Sequence, residues 1–159
     1  MSVFLSSILP RPGRSPGANR ENTAEVYRLT DQELISKFES GAVLECDFHH
    51  ADHVRLAFAY LKKRPVLAAL EEFSTALKRF AARHGKTELY NQTITWAYIF
   101  LIAERVARSG GKQLDWEHFA EQNPDLLVWK GGILTRYYED TTLKSDLARR
   151  TFIFPDKCG

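Results

Sequence analysis

The segment that most limits what this chain can fold into is residues 92–108, QTITWAYIFLIAERVAR. Set at roughly 100° per residue, its apolar side chains run nearly all the way round a helix. Trp96, Ile99, Phe100, Ala103 and Ala107 cover one side, and Ile94, Tyr98 and Leu101 cover much of the other. Such a helix needs neighbours on most sides, which predicts the middle of a helical bundle. The chain has no run of about 18 apolar residues, so a membrane span is not expected.

The other helices are bounded by their caps and stops. Thr30-Asp31-Gln32-Glu33 is a capping-box pattern with Thr30 as N-cap. It opens a helix over residues 31–40 that Gly41 ends. Residues 42–48 read as an extended connection. A second helix starts around residues 48–50 and runs to Lys63, because Pro65 stops it. Pro65 is then an early residue of a third helix, with Val66, Leu70, Phe73, Leu77, Phe80 and His84 as its stripe and Gly85 as its close. Asp115 is the expected N-cap of a short helix carrying Trp116 and Phe119, and Asn123-Pro124-Asp125 breaks it. Gly131-Gly132 precedes a helical piece over 133–138, a last helix covers 142–150, and 151–155 is a packed extended end. There is no strand–helix rhythm and no internal repeat. The predicted fold is all-α, a compact bundle of about five or six helices in a single domain over 23–159. Pro10, Pro12, Gly13, Pro16 and Gly17 mark residues 1–22 as a disordered arm, with folding starting near 21–27.

Charge narrows the partners. The net charge is +2 on 159 residues, and residues 1–20 hold Arg11, Arg14 and Arg20 with no acid. The rest of the chain therefore has 19 basic against 20 acidic residues and no excess to steer a phosphate backbone, so nucleic acid is not an expected partner. Cys46 and Cys158 read as thiols of a reducing compartment. Residues 3–9 are apolar but lack a basic n-region and run into Pro10-Arg11-Pro12, a poor secretory signal. An acid-free leader of this kind fits a transit peptide less well than a disordered arm. The expected location is the cytoplasm.

Three of the five histidines fall within Phe48-His49-His50-Ala51-Asp52-His53-Val54-Arg55-Leu56-Ala57. With His50 at zero on the wheel, Leu61, Val54 and Ala57 lie within about 40° of it. His50 is thus at the centre of the apolar face, with His53 and His49 on its flank at about −60° and −100°. Asp52, Arg55, Lys62 and Lys63 fall on the opposite side, predicted to face water. Buried imidazoles side by side need a polar network, a metal or a wet cavity, since each unpaired group costs about 1–3 kcal/mol. His49/His53 and His50/His53 are at ligand spacing for a divalent metal, with Glu104 on the central helix as the candidate facing ligand and Cys46 as another. The alternatives are a hydrogen-bonded helix start for the histidines, an i, i+4 ion pair of Glu104 with Arg108, and a small buried apolar role for Cys46. His84 reads as a helix-end cation and His118 as a surface residue.

Asn91, Gln92 and Trp96, at the entry to the central helix, are candidate ligand-binding residues, with an N-cap by Asn91 or Thr93 as the alternative. Trp116, Trp129, Tyr137 and Tyr138 read as core and lid packing, not base-stacking platforms. The chain shows no Ser/His/Asp order, phosphate-cradling loop or nucleotide fingerprint.

The string FHHADHVRLA, with Thr93-Ile94-Thr95-Trp96, Asn123-Pro124-Asp125-Leu126-Leu127 and Phe154-Pro155-Asp156, resembles a family of small bacterial proteins without an assigned function. The resemblance covers roughly 30–157. It implies a His-Glu pair at the place of Asn91-Gln92, so this chain departs from the pattern there and has amides instead. The function expected from the residues is a bundle that binds a small molecule or metal in a pocket lined by His50, His53 and His49, with Asn91, Gln92 and Glu104 opposite. As an enzyme it would use His50 and His53 as imidazole acid and base. The competing expectation is a non-catalytic interaction or structural domain whose histidines are core hydrogen-bonding residues.

Overall fold

The computed structural model describes residues 29–157. The arm proposed for residues 1–22, the start of folding near 21–27 and Cys158 lie outside the described residues. The described residues are all-α, with seven α-helices, five of them seven residues or longer, and no strand.

Helix α1, Asp31–Ser40, is opened by the capping box: Glu33 N–H donates to the Thr30 hydroxyl at 3.3 Å and Thr30 N–H to the Glu33 carboxylate at 2.8 Å. Gly41 closes it at φ 81°, a left-handed conformation that only glycine adopts cheaply. Helix α2, His50–Lys63, and helix α3, Val66–Arg83, are separated by Arg64 and Pro65. Helix α4 is Gln92–Arg108, α5 is Trp116–Gln122, α6 is Asp140–Lys144 and α7 is Asp146–Arg150. Among the described residues, no helix is long and apolar enough to cross a membrane.

Three segments differ from the sequence reading. Residues 42–48 contain a 3-10 turn, Glu45–Asp47, and Cys46 on it is exposed, not buried. The 133–138 piece is a 3-10 turn over Ile133–Arg136. The single helix expected over 142–150 is two one-turn helices broken at Ser145, whose backbone is extended and whose hydroxyl accepts from Ala148 N–H at 3.1 Å. A serine that caps a new turn competes with continuing the old one.

Helix α2 packs on α1, α3, α4 and the turn Pro124–Leu127, and α4 packs on α2, α3 and α7. The two share the centre of the bundle, but α2 is the more enclosed: every residue from 53 to 61 is buried. This overturns the expectation that Arg55 faces water. Arg55 is 6% exposed and donates to the Asp31 carboxylate at 2.6 Å, with its guanidinium 5.3 Å from the Trp116 ring. Helices α1 and α5 cover the side of α2 that its own sequence marks as polar, with the Phe58 ring 4.8 Å from that of Phe119 and tilted by 35°. Helix α4 keeps one exposed edge. Phe100 is 38% exposed there, its ring 5.9 Å from Phe152 of the C-terminal segment.

The C-terminal segment is tied back through α4. Thr93, fully buried, donates its hydroxyl to the Thr151 carbonyl at 2.8 Å and accepts from Ile153 N–H at 3.0 Å. Asn91 donates its side-chain amide to the Leu143 carbonyl at 2.7 Å. These two polar residues hold α6, α7 and the tail against the first turn of α4, which fixes one wall of the site described next.

Candidate functional site

The histidine string does not form one hollow. His49 is the N-terminal flank of α2 and its side chain is 51% exposed, so it faces solvent and not the interior. Its backbone N–H donates to the Asp52 carboxylate at 2.8 Å, which caps the helix. His53 is 2% exposed, its ring centroid 4.1 Å from that of Phe48. His50 is buried on another side, where Nε2–H donates to the Leu126 carbonyl at 2.8 Å. A carbonyl can only accept, so this bond sets the Nε2–H tautomer and leaves Nδ1 with its lone pair. Burial outweighs that bond and pulls the His50 pKa down to about 4; burial and the neighbouring imidazoles pull His53 well below the usual range. Both rings are neutral at pH 7.

The metal set is not assembled. Glu104 is exposed and pairs with Arg108 at 2.7 Å, the i, i+4 alternative. Among the described residues, no three His, Cys, Asp or Glu side chains converge on a point that could hold a metal ion. His118 is exposed and pairs with Asp115, and His84 caps α3 with its ring against Phe80.

A cavity of about 510 Å³ opens one layer further out. Its floor is Ile94 and Tyr98 of α4, with Trp129 and Leu134 on one wall and Leu143 of α6 on the other. Asn91 lines it with an amide that already caps α4 through Ile94 N–H at 2.9 Å. That amide keeps one more N–H and one more oxygen lone pair than its two bonds use. Lys130, Asp140, Lys144 and Arg149 also line it, and their exposed or half-buried side chains mark its mouth. Gln92 and Trp96 do not line it; Trp96 is stacked on Phe152 at 5.8 Å on the other side of α4.

His50 is the layer behind this cavity. Its ring centroid is 5.1 Å from Tyr98 and 5.2 Å from Trp129, both of which form the cavity surface. The wall that carries Trp129 is anchored at its root. Arg105 of α4 donates to both Asp125 oxygens at 2.6 and 2.8 Å and to Asn123 at 2.9 Å, while His50 holds Leu126. The guanidinium keeps the Asp125 carboxyl below its ordinary range. The turn Pro124–Leu127 is thus clamped from α4 and α2, and the chain crosses from it along the cavity through residues 129–132.

That crossing depends on Gly132. A Cβ there would lie 2.0 Å from the Val128 carbonyl oxygen, a clash with main chain that no rotamer relieves. Gly132→Ala is expected to lower stability by about 2 kcal/mol. Gly131→Ala faces open space at φ 65°, and costs about 1 kcal/mol for the left-handed backbone alone. Thermal melts of the two variants check the order; Gly131→Ala melting lower would mean the wall is not closed in this way.

Of the site residues expected from the sequence, Asn91 lines this cavity and His50 packs behind it, whereas Tyr98, Trp129, Leu134 and Leu143 were not among those expected. The available signal was the Trp129-Lys130-Gly131-Gly132 run, an aromatic and a cation beside paired glycines. No family model, no curated protein and no solved structure matches the chain.

Proposed function

We propose that this protein binds a small organic molecule in the cavity between α4, residues 129–135 and α6–α7. The single observation that carries this reading is the cavity itself. It measures about 510 Å³, and aromatic and aliphatic side chains line it together with the polar Asn91 and Thr135 and the charged Lys130, Asp140, Lys144 and Arg149. That combination of volume and lining is typical of small-molecule sites. The role read for the histidine helix is support. His50 fixes Tyr98 and Trp129 from behind and pins the turn at Leu126. Binding fits this geometry better than imidazole acid–base chemistry, because the His50 ring is packed behind the cavity surface with its Nε2–H committed to Leu126. Capture of a divalent metal by His49, His50, His53 and Glu104 has no support in the geometry, since His49 and Glu104 point to solvent.

The test uses N-phenylnaphthylamine, a neutral dye that fluoresces when it leaves water. Saturable binding is expected, with quenching of tryptophan emission through Trp129. Leu143→Trp, which fills the cavity from its half-buried wall, is expected to weaken the dye at least ~10-fold, equal to about 1.4 kcal/mol. Circular dichroism confirms that the variant is folded. The competing reading is a docking domain, and its face is the row of Trp96, Phe100, Phe152 and Phe154 on the far side of α4. Dye bound equally by Leu143→Trp but lost in Phe154→Ser would replace the cavity with that face.

A further inference from the structure

We infer that the molecule taken by the cavity is an amphipathic organic anion, a planar or acyl body carrying one carboxylate, sulfonate or phosphate group. This rests on the cavity being the binding site, as proposed above, and adds the chemical class of its occupant.

What selects an anion is the distribution of charge around an apolar hole. Its apolar lining, which includes Ile94, Tyr98, Trp129, Leu134 and Leu143, offers nothing ionic. The ionic side chains of the lining, Lys130, Asp140, Lys144 and Arg149, are exposed or half-buried, which puts them on the solvent side of the cavity, and most are already neutralised. Lys144 is paired with Asp140 one turn back, and Arg149 donates to Asp146 at 2.6 Å. Lys130 has no carboxylate within ion-pair distance among the described residues. The mouth therefore carries one positive charge more than its carboxylates balance.

The location of that charge is specific. Lys130 sits between Trp129, whose ring is cavity wall, and the Gly131-Gly132 turn that only glycine can follow at Gly132. The backbone under the ammonium is thus fixed relative to the apolar floor, while its four-carbon stem can reach over the opening. A ligand with its apolar body on Tyr98 and Trp129 presents its other end to Lys130. A cationic end is repelled there and a neutral end gains nothing from the charge. An anionic end is attracted, more strongly than in bulk water because the cavity wall excludes solvent on one side.

The experiment compares two dyes with the same aryl-amine body on the full chain. N-phenylnaphthylamine is neutral, and anilinonaphthalene sulfonate carries one negative charge. At low salt the sulfonate is expected to bind about fivefold more tightly. That advantage is expected to shrink at about 0.5 M salt, to vanish in Lys130→Gln and to invert in Lys130→Glu. The neutral dye keeps its affinity in both variants. Decanoate is expected to displace either dye more effectively than decanol. Neutral dye bound as tightly as the sulfonate, or a sulfonate preference that survives Lys130→Gln, overturns the anion assignment and leaves the cavity reading standing. Failure of both dyes to bind, or equal binding by Leu143→Trp, overturns the cavity reading beneath it.

Discussion

Acidification from pH 7.5 to pH 5 is expected to destabilise this protein well before its carboxylates titrate. The cause is the pair of neutral imidazoles enclosed at the start of α2. The His50 pKa falls from 6.5 to about 4 on folding. A group whose folded pKa is depressed is protonated more readily in the unfolded chain. Its contribution is complete above pH 6.5 and is lost as the pH falls through 6.5 toward 4. For His50 alone the loss at pH 5 is about 2 kcal/mol. His53, fully enclosed against Phe48, has its pKa lowered in the same direction and adds a loss of the same sign. Two groups act against this. Burial raises the Asp52 pKa, and the Asp115 carboxylate raises that of His118, so both favour the folded state on acidification. His118 stands in solvent, where screening leaves its contribution small. Urea titrations at the two pH values measure the net effect. In His50→Gln, which keeps an N–H for the Leu126 carbonyl, the pH dependence should become shallower by the share of one proton. A wild-type midpoint that does not move between pH 7.5 and pH 5 would mean the rings are solvated, and the wall they support would lose its basis.

Removal of the Asp31 carboxylate is the most damaging single change expected outside the core. Asp31 holds Arg55 at 2.6 Å, and Arg55 is 6% exposed among Phe58 and Trp116. Its Nε is buried without a hydrogen-bond partner, so the bond to Asp31 is the main compensation for a guanidinium out of water. Asp31→Ala strands that charge and is expected to cost about 3 kcal/mol. Arg55→Met is milder, because Asp31 is 21% exposed in its side chain and can turn to water. The double variant should recover much of the Asp31→Ala loss, since a well-packed apolar pair often replaces a buried ion pair without penalty. A double-mutant cycle by urea denaturation decides it. Strictly additive losses would show that the pair is not coupled.

These expectations draw on different parts of the reading. The ends of α1, α2, α3 and α4 were legible because capping is local. Thr30 and Glu33, Pro65 and Asn91 act on backbone groups within four residues of themselves. The apolar character of α4 was legible for the same reason. The split at Ser145 was less so, because a serine can continue a helix or cap a new one, and the choice depends on what α6 and α7 pack against. The helical wheel also placed His50 inward correctly, yet put Arg55 in water. A wheel ranks the faces of one helix and cannot count its neighbours. Here α1 and α5 cover the second face of α2.

The sequence by itself determined that the chain is helical and where its long helices start and stop, and it turned three imidazoles inward, of which His50 and His53 are buried and His49 is in solvent. Only the tertiary structure decided that those rings are separated, one on Phe48 and one behind Tyr98 and Trp129. It alone decided that the hollow lies beyond them, between α4, residues 129–135 and α6. The reason is physical. Caps and apolar periodicity are properties of short stretches of chain, whereas a cavity is the space left over when stretches far apart in sequence are brought together.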